Sequence, residues 1–436
     1  MIRKFFNYVI PAVIGMLVTS LYIVVDGMFV GKGVGSNALA AVNIAFPPNL
    51  IATALALIIS VGGSTLVAMN LGAGKNEDAI DKFNESILFL IIVAIVLLIV
   101  GVFFSKPIAY ALGAPDSLIE DVYNYIKFCF IFSVPLVLSE GLNCFLRNDG
   151  APKLAMYAMI SGSLTNILLD YIFIFIFKWG VIGAAIATGL GELVSMTIAI
   201  IYFLSGKGIL RFKKCKISFK SIKDITIIGF PAFLTECTIA VVTMAFNMVI
   251  LKRIGETGAA TYSIINYTLT VINMIFVGIA QGMQPLLSFY YGAKEEDKVK
   301  YYYSLSIKSV LAAAFVNYFV FLLFGKRIIS FFTNDMDLIN VTYNALKIFS
   351  LGTFFAGINV IESAYFQSIK MCKISTAICV FRGFMATQIS LFILPGLIGD
   401  NGIWLSNLGG ELLVFLVVMA SQKKYERRDW CHPLDK

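Results

Sequence analysis

Residues 154–177 read LAMYAMISGSLTNILLDYIFIFIF, an apolar run with Asn166-Ile-Leu-Leu-Asp170 at its middle. A helix needs about 20 apolar residues to cross the hydrocarbon core of a bilayer, so this run is long enough to span. With 3.6 residues per turn, Asn166 and Asp170 share one helix face, about 6 Å apart along the axis. An ionised carboxylate near the bilayer centre costs roughly 2.5–3.5 kcal/mol. Asp170 must therefore bind something, take up a proton or find a partner, and the spacing alone leaves all three open.

The rest of the chain has the same character. Hydrophobic residues make up 59% of its 436 residues and charged residues 14%, against about 25% charged in a soluble domain; the mean hydropathy is +0.86. Spanning runs are expected near 9–30, 44–69, 86–105, 122–146, 154–177, 183–205, 226–250, 262–290, 304–325, 343–367, 374–397 and 402–421. That makes an all-α polytopic membrane protein of twelve transmembrane helices, with no room for a sizeable soluble domain. The opening Met1-Ile-Arg-Lys and the apolar residues after it could pass for a signal peptide. The run continues through Asp26 without an A-x-A-like cleavage site, so it reads as a retained first span.

Alternating the loops between two sides separates the charges. The side holding both termini takes Arg3, Lys4, Lys75, Lys82, Arg147, Lys153, the cluster from Lys207 to Lys223, Lys294, Lys298, Lys300 and the basic tail. The other side takes only Lys32, Lys106, Lys178, Lys252, Arg253, Lys326 and Arg327. The positive-inside rule then places both termini in the cytoplasm, as expected of a multi-pass plasma-membrane protein. Because the net charge of +8 sits in particular loops, the partner expected is the bilayer and not nucleic acid. The seven cysteines (Cys129, Cys144, Cys215, Cys237, Cys372, Cys379, Cys431) form no C-x-x-C pair, so neither a disulfide framework nor a zinc site is expected. His432, the only histidine, lies in the tail and cannot relay protons within the membrane. No G-x-x-x-x-G-K-[ST] loop occurs, which argues against ATP-driven pumping by this chain.

Shifted by 220 residues, the sequence overlays itself: Pro11-Ala12 meets Pro231-Ala232, Gly35 meets Gly255, Gly62 meets Gly282 and Gly72-Ala73 meets Gly292-Ala293. Asn124 and Lys127 meet Asn344 and Lys347, and at an offset of 219 Gly191-Glu192 meets Gly410-Glu411. Duplication is the economical explanation. Six helices per half is an even number, so the halves enter the membrane in one orientation. Parallel repeats of this kind are related by a pseudo-two-fold axis along the membrane normal, with substrate sites near the midplane. The expected division is an N-lobe over 1–205, a basic cytoplasmic linker over 206–225, and a C-lobe with tail over 226–436. The linker reads first as a topology anchor facing anionic lipid.

Intramembrane acids mark function by default. Asp26 falls on Phe246 under the shift and Asp170 on Ser390; Glu236 falls on Met16 and Glu362 on Leu142. These one-sided acids suggest work done in one half only. Glu192 and Glu411 mirror each other, and both a structural and a transport role stay open for them. Glu140 is expected to neutralise Arg147. With few basic residues in the helix interiors, the acids are left with sodium, protons or a cationic substrate. Asp26, Asn166 and Asp170, with the Thr188 hydroxyl, offer the oxygen ligands sodium wants, while a proton needs only a buried carboxylate. The further candidates for substrate or coupling in the C-lobe are Glu236, Glu362, Gln284 and Asn247. Aromatic and methionine side chains such as Met244, Phe246 and Tyr267 would suit an organic cation where they face a cavity.

Taken together, Ile10-Pro11, Val24-Val-Asp26, Phe29-Val-Gly31, Arg147-Asn-Asp-Gly-Ala-Pro-Lys153, Asn166-Ile-Leu-Leu-Asp170 and Gly183-Ala-Ala-Ile-Ala-Thr188 carry a resemblance, with Gly229-Phe-Pro-Ala-Phe-Leu-Thr-Glu236 and Gln281-Gly-Met-Gln-Pro285 in the second half. The sequence resembles the multidrug and toxic compound extrusion (MATE) family, bacterial type, over nearly its full length. The resemblance implies a V-shaped pair of six-helix lobes that export cationic, often aromatic drugs in exchange for sodium ions or protons by alternating access. It also implies that Asp26, Asn166, Asp170 and Thr188 form an N-lobe cation site. Glu236 and Glu362 match the family's C-lobe acids only approximately. On this reading the chain is no enzyme, needs no cofactor beyond a coupling Na+ or H+, and works as a monomer. The rival within the same superfamily is a flippase for lipid-linked oligosaccharides or lipids, which would be expected to line its cavity with basic residues. A membrane-embedded enzyme and a passive channel fit less well, since no nucleophile or metal motif clusters and one-sided acids suit coupling.

Overall fold

A chain in hydrocarbon must satisfy its backbone hydrogen bonds internally, and the helix does this within one segment. In the computed structural model, which describes residues 1–216 and 218–425, every regular element is helical. His432, Cys431 and the basic residues from Arg427 onward lie outside the described residues. The elements are α1 (Ile2–Gly33), α2 (Ser36–Gly72), α3 (Asn76–Ala111), α4 (Ile119–Ile131), α5 (Ser133–Asn148), α6 (Pro152–Asp170), α7 (Gly180–Leu204) and α8 (Phe219–Arg253). The chain continues through α9 (Glu256–Gly292), α10 (Glu296–Ile329), α11 (Met336–Phe349), α12 (Thr353–Ser368), α13 (Cys372–Val380), α14 (Thr387–Ile398) and α15 (Asn401–Tyr425). Eleven spans are long and apolar enough to cross a membrane, and the bent pair α4–α5 makes a twelfth. The expected twelve are therefore present among the described residues.

Two departures from the expected spans have physical causes. The 36-residue α3 is about 54 Å long at 1.5 Å per residue, well beyond a core of about 30 Å. Helix continues past the apolar run because polar residues at its ends, such as Glu77 and Asp78 in the first turn of α3, suit a helix N-terminus in water. The fourth span, expected as one helix over 122–146, breaks by 51° between Ile131 and Ser133. Pro135 has no N–H to give the carbonyl four residues earlier, which loosens the helix there. Ser133 instead donates its hydroxyl to the Ala94 carbonyl at 2.8 Å, tying the bend to α3.

The chain divides into two compact units. The first is Met1–Phe233 with Ser288–Glu296; the second is Leu234–Leu287 with the described chain from Asp297 onward. In the first unit, glycines let α2 touch the early part of α8 backbone to backbone. A Cβ on Gly229 would sit 1.7 Å from the Ile58 carbonyl oxygen, and one on Gly62 would sit 2.0 Å from that of Ile225. No side chain fits there. Phe83 anchors the aromatic core of this unit against Phe145, Phe203 and Phe212, at centroid distances of 5.1, 4.9 and 5.6 Å. In the second unit, Phe246, Tyr262 and Phe349 pack together at 5.1 to 6.0 Å.

The basic linker is partly docked on its own unit. Ile209 and Leu210 donate their N–H groups to the Asp149 carboxylate at 2.9 and 3.1 Å. Asn84 donates to the Arg211 carbonyl and accepts from the Lys213 N–H, each at 2.9 Å. Arg211 and Lys213 both reach Glu77 at 3.2 Å. These exposed pairs contribute little each, but they take two of the linker's cations toward α3.

Candidate functional site

Asn166 and Asp170 close α6, and a π-helical turn, Tyr171–Ile176, follows at once. Such turns shift the ladder by a residue and recur at functional positions. The neighbouring helices come close because small residues line the seams. A Cβ on Gly191 of α7 would lie 2.7 Å from the Gly162 carbonyl and 3.1 Å from the Cβ of Asn166. On the α1 side, Gly15 leaves only the room that the Met159 thioether fills, at 2.9 Å. Pinned between α1 and α7, Asn166 is 2% exposed and Asp170 0%.

All four sequence candidates come together here, as two linked pairs. Asn166 donates its amide N–H to the Thr188 hydroxyl at 3.2 Å, which turns its carbonyl oxygen the other way. The carboxyl groups of Asp26 and Asp170 face and interact with one another. Asn166 Oδ1, Asp26 Oδ1 and both oxygens of Asp170 are buried without a donor at good hydrogen-bond geometry, the Asn166 amide being the donor beside Asp170. Among the described residues no Lys or Arg comes within 4 Å of Asp26 or Asp170. A buried acceptor without a donor costs about 1–3 kcal/mol, and two adjacent carboxylates cannot both stay ionised without help. Four such oxygens converging in one place are what a hard cation, or a proton shared between the two acids, would satisfy. The donor set thus fits either coupling ion.

Sequence reasoning missed the aromatic wall of this site. Tyr22 lies one turn before Asp26 on α1, within electrostatic reach of Asp26, Asp170, Glu140 and Glu192. Tyr125 of α4 is within reach of Asp26 and Asp170. Neither residue stands out in a sequence that holds 19 tyrosines. Glu140 and Arg147, expected to neutralise one another, interact electrostatically but form no direct ion pair: Arg147 comes within 4 Å of no carboxylate, and its guanidinium donates to the Met159 sulfur at 3.9 Å. The two lie seven residues apart, about 10.5 Å along one helix face, so the charges act at a distance and not in contact.

In the second unit the structure treats the candidates differently. Glu362, 2% exposed on α12, accepts a hydrogen bond from the Tyr303 hydroxyl of α10. Next to it, Ser363 contacts Ser375 at 3.0 Å and Cys379 at 3.2 Å, and Thr235 of α8 reaches the same sulfur at 3.5 Å. Glu236 follows Thr235 and is half-buried, as is Asn247, while Gln284 is buried on α9. The mirrored Glu411 is an internal ion-pair partner: Arg382 donates to it at 2.7 Å and Asn359 at 2.7 Å. Among the described residues no three or more His, Cys, Asp or Glu side chains group as a metal cluster.

The family model described as MatE matches residues 11–172 and 231–390, once in each half. The chain is similar to the multidrug export protein MepA of Staphylococcus saprophyticus, with 25% identity over 95% of this chain and 91% of that protein. MepA of Staphylococcus aureus is 26% identical over 96% of this chain and 92% of its own length. Among solved structures, a MATE protein in complex with MaL6 has a TM-score of 0.92 at 25% identity, covering 97% of this chain and 95% of that one. A superfamily transporter from Pyrococcus furiosus, described as having a binding pocket of reversed polarity, has a TM-score of 0.88 at 26% identity, covering 96% and 95%.

Proposed function

The chain belongs to the MATE family of membrane transporters, and on that premise we propose that it exports small organic, mostly cationic compounds in exchange for Na+ or H+. The export of multiple drugs is what the names of its staphylococcal relatives state of those proteins, and the 25–26% identity over nearly the whole chain supports the same substrate class here. The protein acts in the plasma membrane with both termini in the cytoplasm.

One observation carries the coupling half of this reading: Asp26 and Asp170 meet with donor-less oxygens and no cationic side chain beside them. Two unit charges 4 Å apart repel by about 4 kcal/mol at an effective dielectric of 20. Loading a cation or proton removes that repulsion and draws α1 toward α6; release restores it. The ion can shift the transport equilibrium only by such a difference between loaded and empty states. Asn166 presents its carbonyl oxygen to the ion because Thr188 holds its amide N–H. In vesicles, wild type should move a cationic dye when either a sodium or a proton gradient is imposed, and the gradient that works names the ion. Asp26→Asn and Asp170→Asn should each lower gradient-driven dye movement at least tenfold. Dye movement equal to wild type in both variants would refute the coupling assignment.

A further inference from the structure

The duplicated glutamates have parted ways. Glu192 and Glu411 occupy matched positions on α7 and α15, and each bonds to a matched partner: Ser139 on α5 and Asn359 on α12. Glu411 also has a cation, with Arg382 Nε and Nη2 both on its carboxylate at 2.9 and 2.7 Å. That pair is closed and charge-neutral. In the first half, position 382 falls on Gly162, where a Cβ would already lie 2.8 Å from the Gly191 carbonyl and 3.3 Å from Ser195. The seam that brings α6 and α7 together leaves no room for a cation. Among the described residues none lies within 4 Å of Glu192, whose partner is the neutral Ser139 hydroxyl.

The surroundings of Glu192 are polar and incompletely paired. Glu140 of α5 follows Ser139 and lies within electrostatic reach of Glu192. One turn further toward the linker end, Asn143 donates to Ser195 at 3.2 Å, yet its Oδ1 is buried without a donor. Asn143 is 6% exposed and lies three and four residues after Glu140 and Ser139, so it shares their helix face. Arg147 comes next, 4% exposed and without a carboxylate partner.

We propose that Glu192, with Glu140 beside it, is a second proton-binding carboxyl of the first unit, one helix turn beyond Thr188 toward the linker, and serves there as a proton relay for the Asp26–Asp170 site. The titratable groups within electrostatic reach of Glu192 are Tyr22 of α1 and Glu140 of α5; Asp26 and Asp170 act in turn on Tyr22, and Arg147 on Glu140. Helix α2 brings none, since no ionisable residue lies between Ser36 and Gly72.

The relay rests on the coupling role given to Asp26 and Asp170; the proton-binding role of Glu192 does not, and two readouts keep them apart. Infrared difference spectra of the reconstituted protein between acidic and alkaline pH should show a protonated-carboxyl band that Glu192→Gln removes. Asp170→Asn and Glu411→Gln should leave that band in place. In vesicles loaded with a pH-sensitive dye, proton flux driven by a tetraphenylphosphonium gradient should fall about tenfold in Glu192→Gln and recover in Glu192→Asp. An unchanged band in Glu192→Gln overturns the proposal, and a lost band with unchanged flux overturns the relay. Unchanged flux in Asp170→Asn refutes the coupling site while the band still decides Glu192. Should Glu192→Gln fail to fold, Ser139→Ala provides the test: it must shift the band, and an unshifted band overturns the assignment.

Discussion

Asn166 works because its two amide atoms are used differently. One amide N–H is held by Thr188 at 3.2 Å, which fixes the plane of the amide and leaves the buried carbonyl oxygen without a partner. Thr188→Val keeps the volume and removes the hydroxyl. The amide donor is then buried without an acceptor, at a cost of about 1 kcal/mol or more, and Asn166 is free to turn its oxygen away. We expect the coupling-ion concentration for half-maximal transport to rise about tenfold, equivalent to about 1.4 kcal/mol, with little loss of protein yield. An unchanged ion dependence would show that Thr188 does not orient Asn166. That Asn166 and Asp170 share a face was legible from their spacing, because helix periodicity is a local property. That Thr188 holds one amide N–H of the asparagine was not, because this partner stands 22 residues away on another helix.

Between elements, the Arg382–Glu411 pair shows what sequence symmetry conceals. Glu192 and Glu411 look equivalent under the shift, and the structure makes one a neutralised strut across α12, α15 and the π-helical turn Phe381–Ala386. Removing one partner of a largely buried pair costs about 3 kcal/mol or more, whereas replacing both by apolar residues of similar size is often neutral. Arg382→Met should therefore lower the thermal stability of the protein in detergent markedly, and Arg382→Met combined with Glu411→Met should recover most of the loss. Equal loss in the single and double variants would mean that the two side chains act independently. The same scale explains the contact of α2 with α8. Gly62 and Gly229 are conspicuous in the sequence, but only the packing shows each one meeting a backbone carbonyl.

For the molecule as a whole, twelve spans and loops of alternating charge follow from composition, and they predict where the linker lies. Cys215 sits in that linker, half-buried beside α3. Burial pushes its thiol pKa up, and nearby Glu85 and Asp81 push in the same direction. A raised pKa means less thiolate at neutral pH, so maleimide labelling should quicken as pH rises through the mildly alkaline range. In a variant keeping only this cysteine, an impermeant maleimide should label inside-out vesicles and spare intact cells; labelling of intact cells would reverse the topology. The sequence by itself determined the solvent, the number of crossings, the duplication and the expensive Asn166–Asp170 pair. These depend on hydropathy, helical period and spacing, all written along one dimension. Tertiary structure alone decided that Asp26 meets Asp170, that Glu411 has its arginine and Glu192 does not, and that Arg147 makes no direct ion pair. Those outcomes turn on which side chains a packed seam admits, and a glycine at 162 in place of an arginine changes them without disturbing the hydropathy pattern.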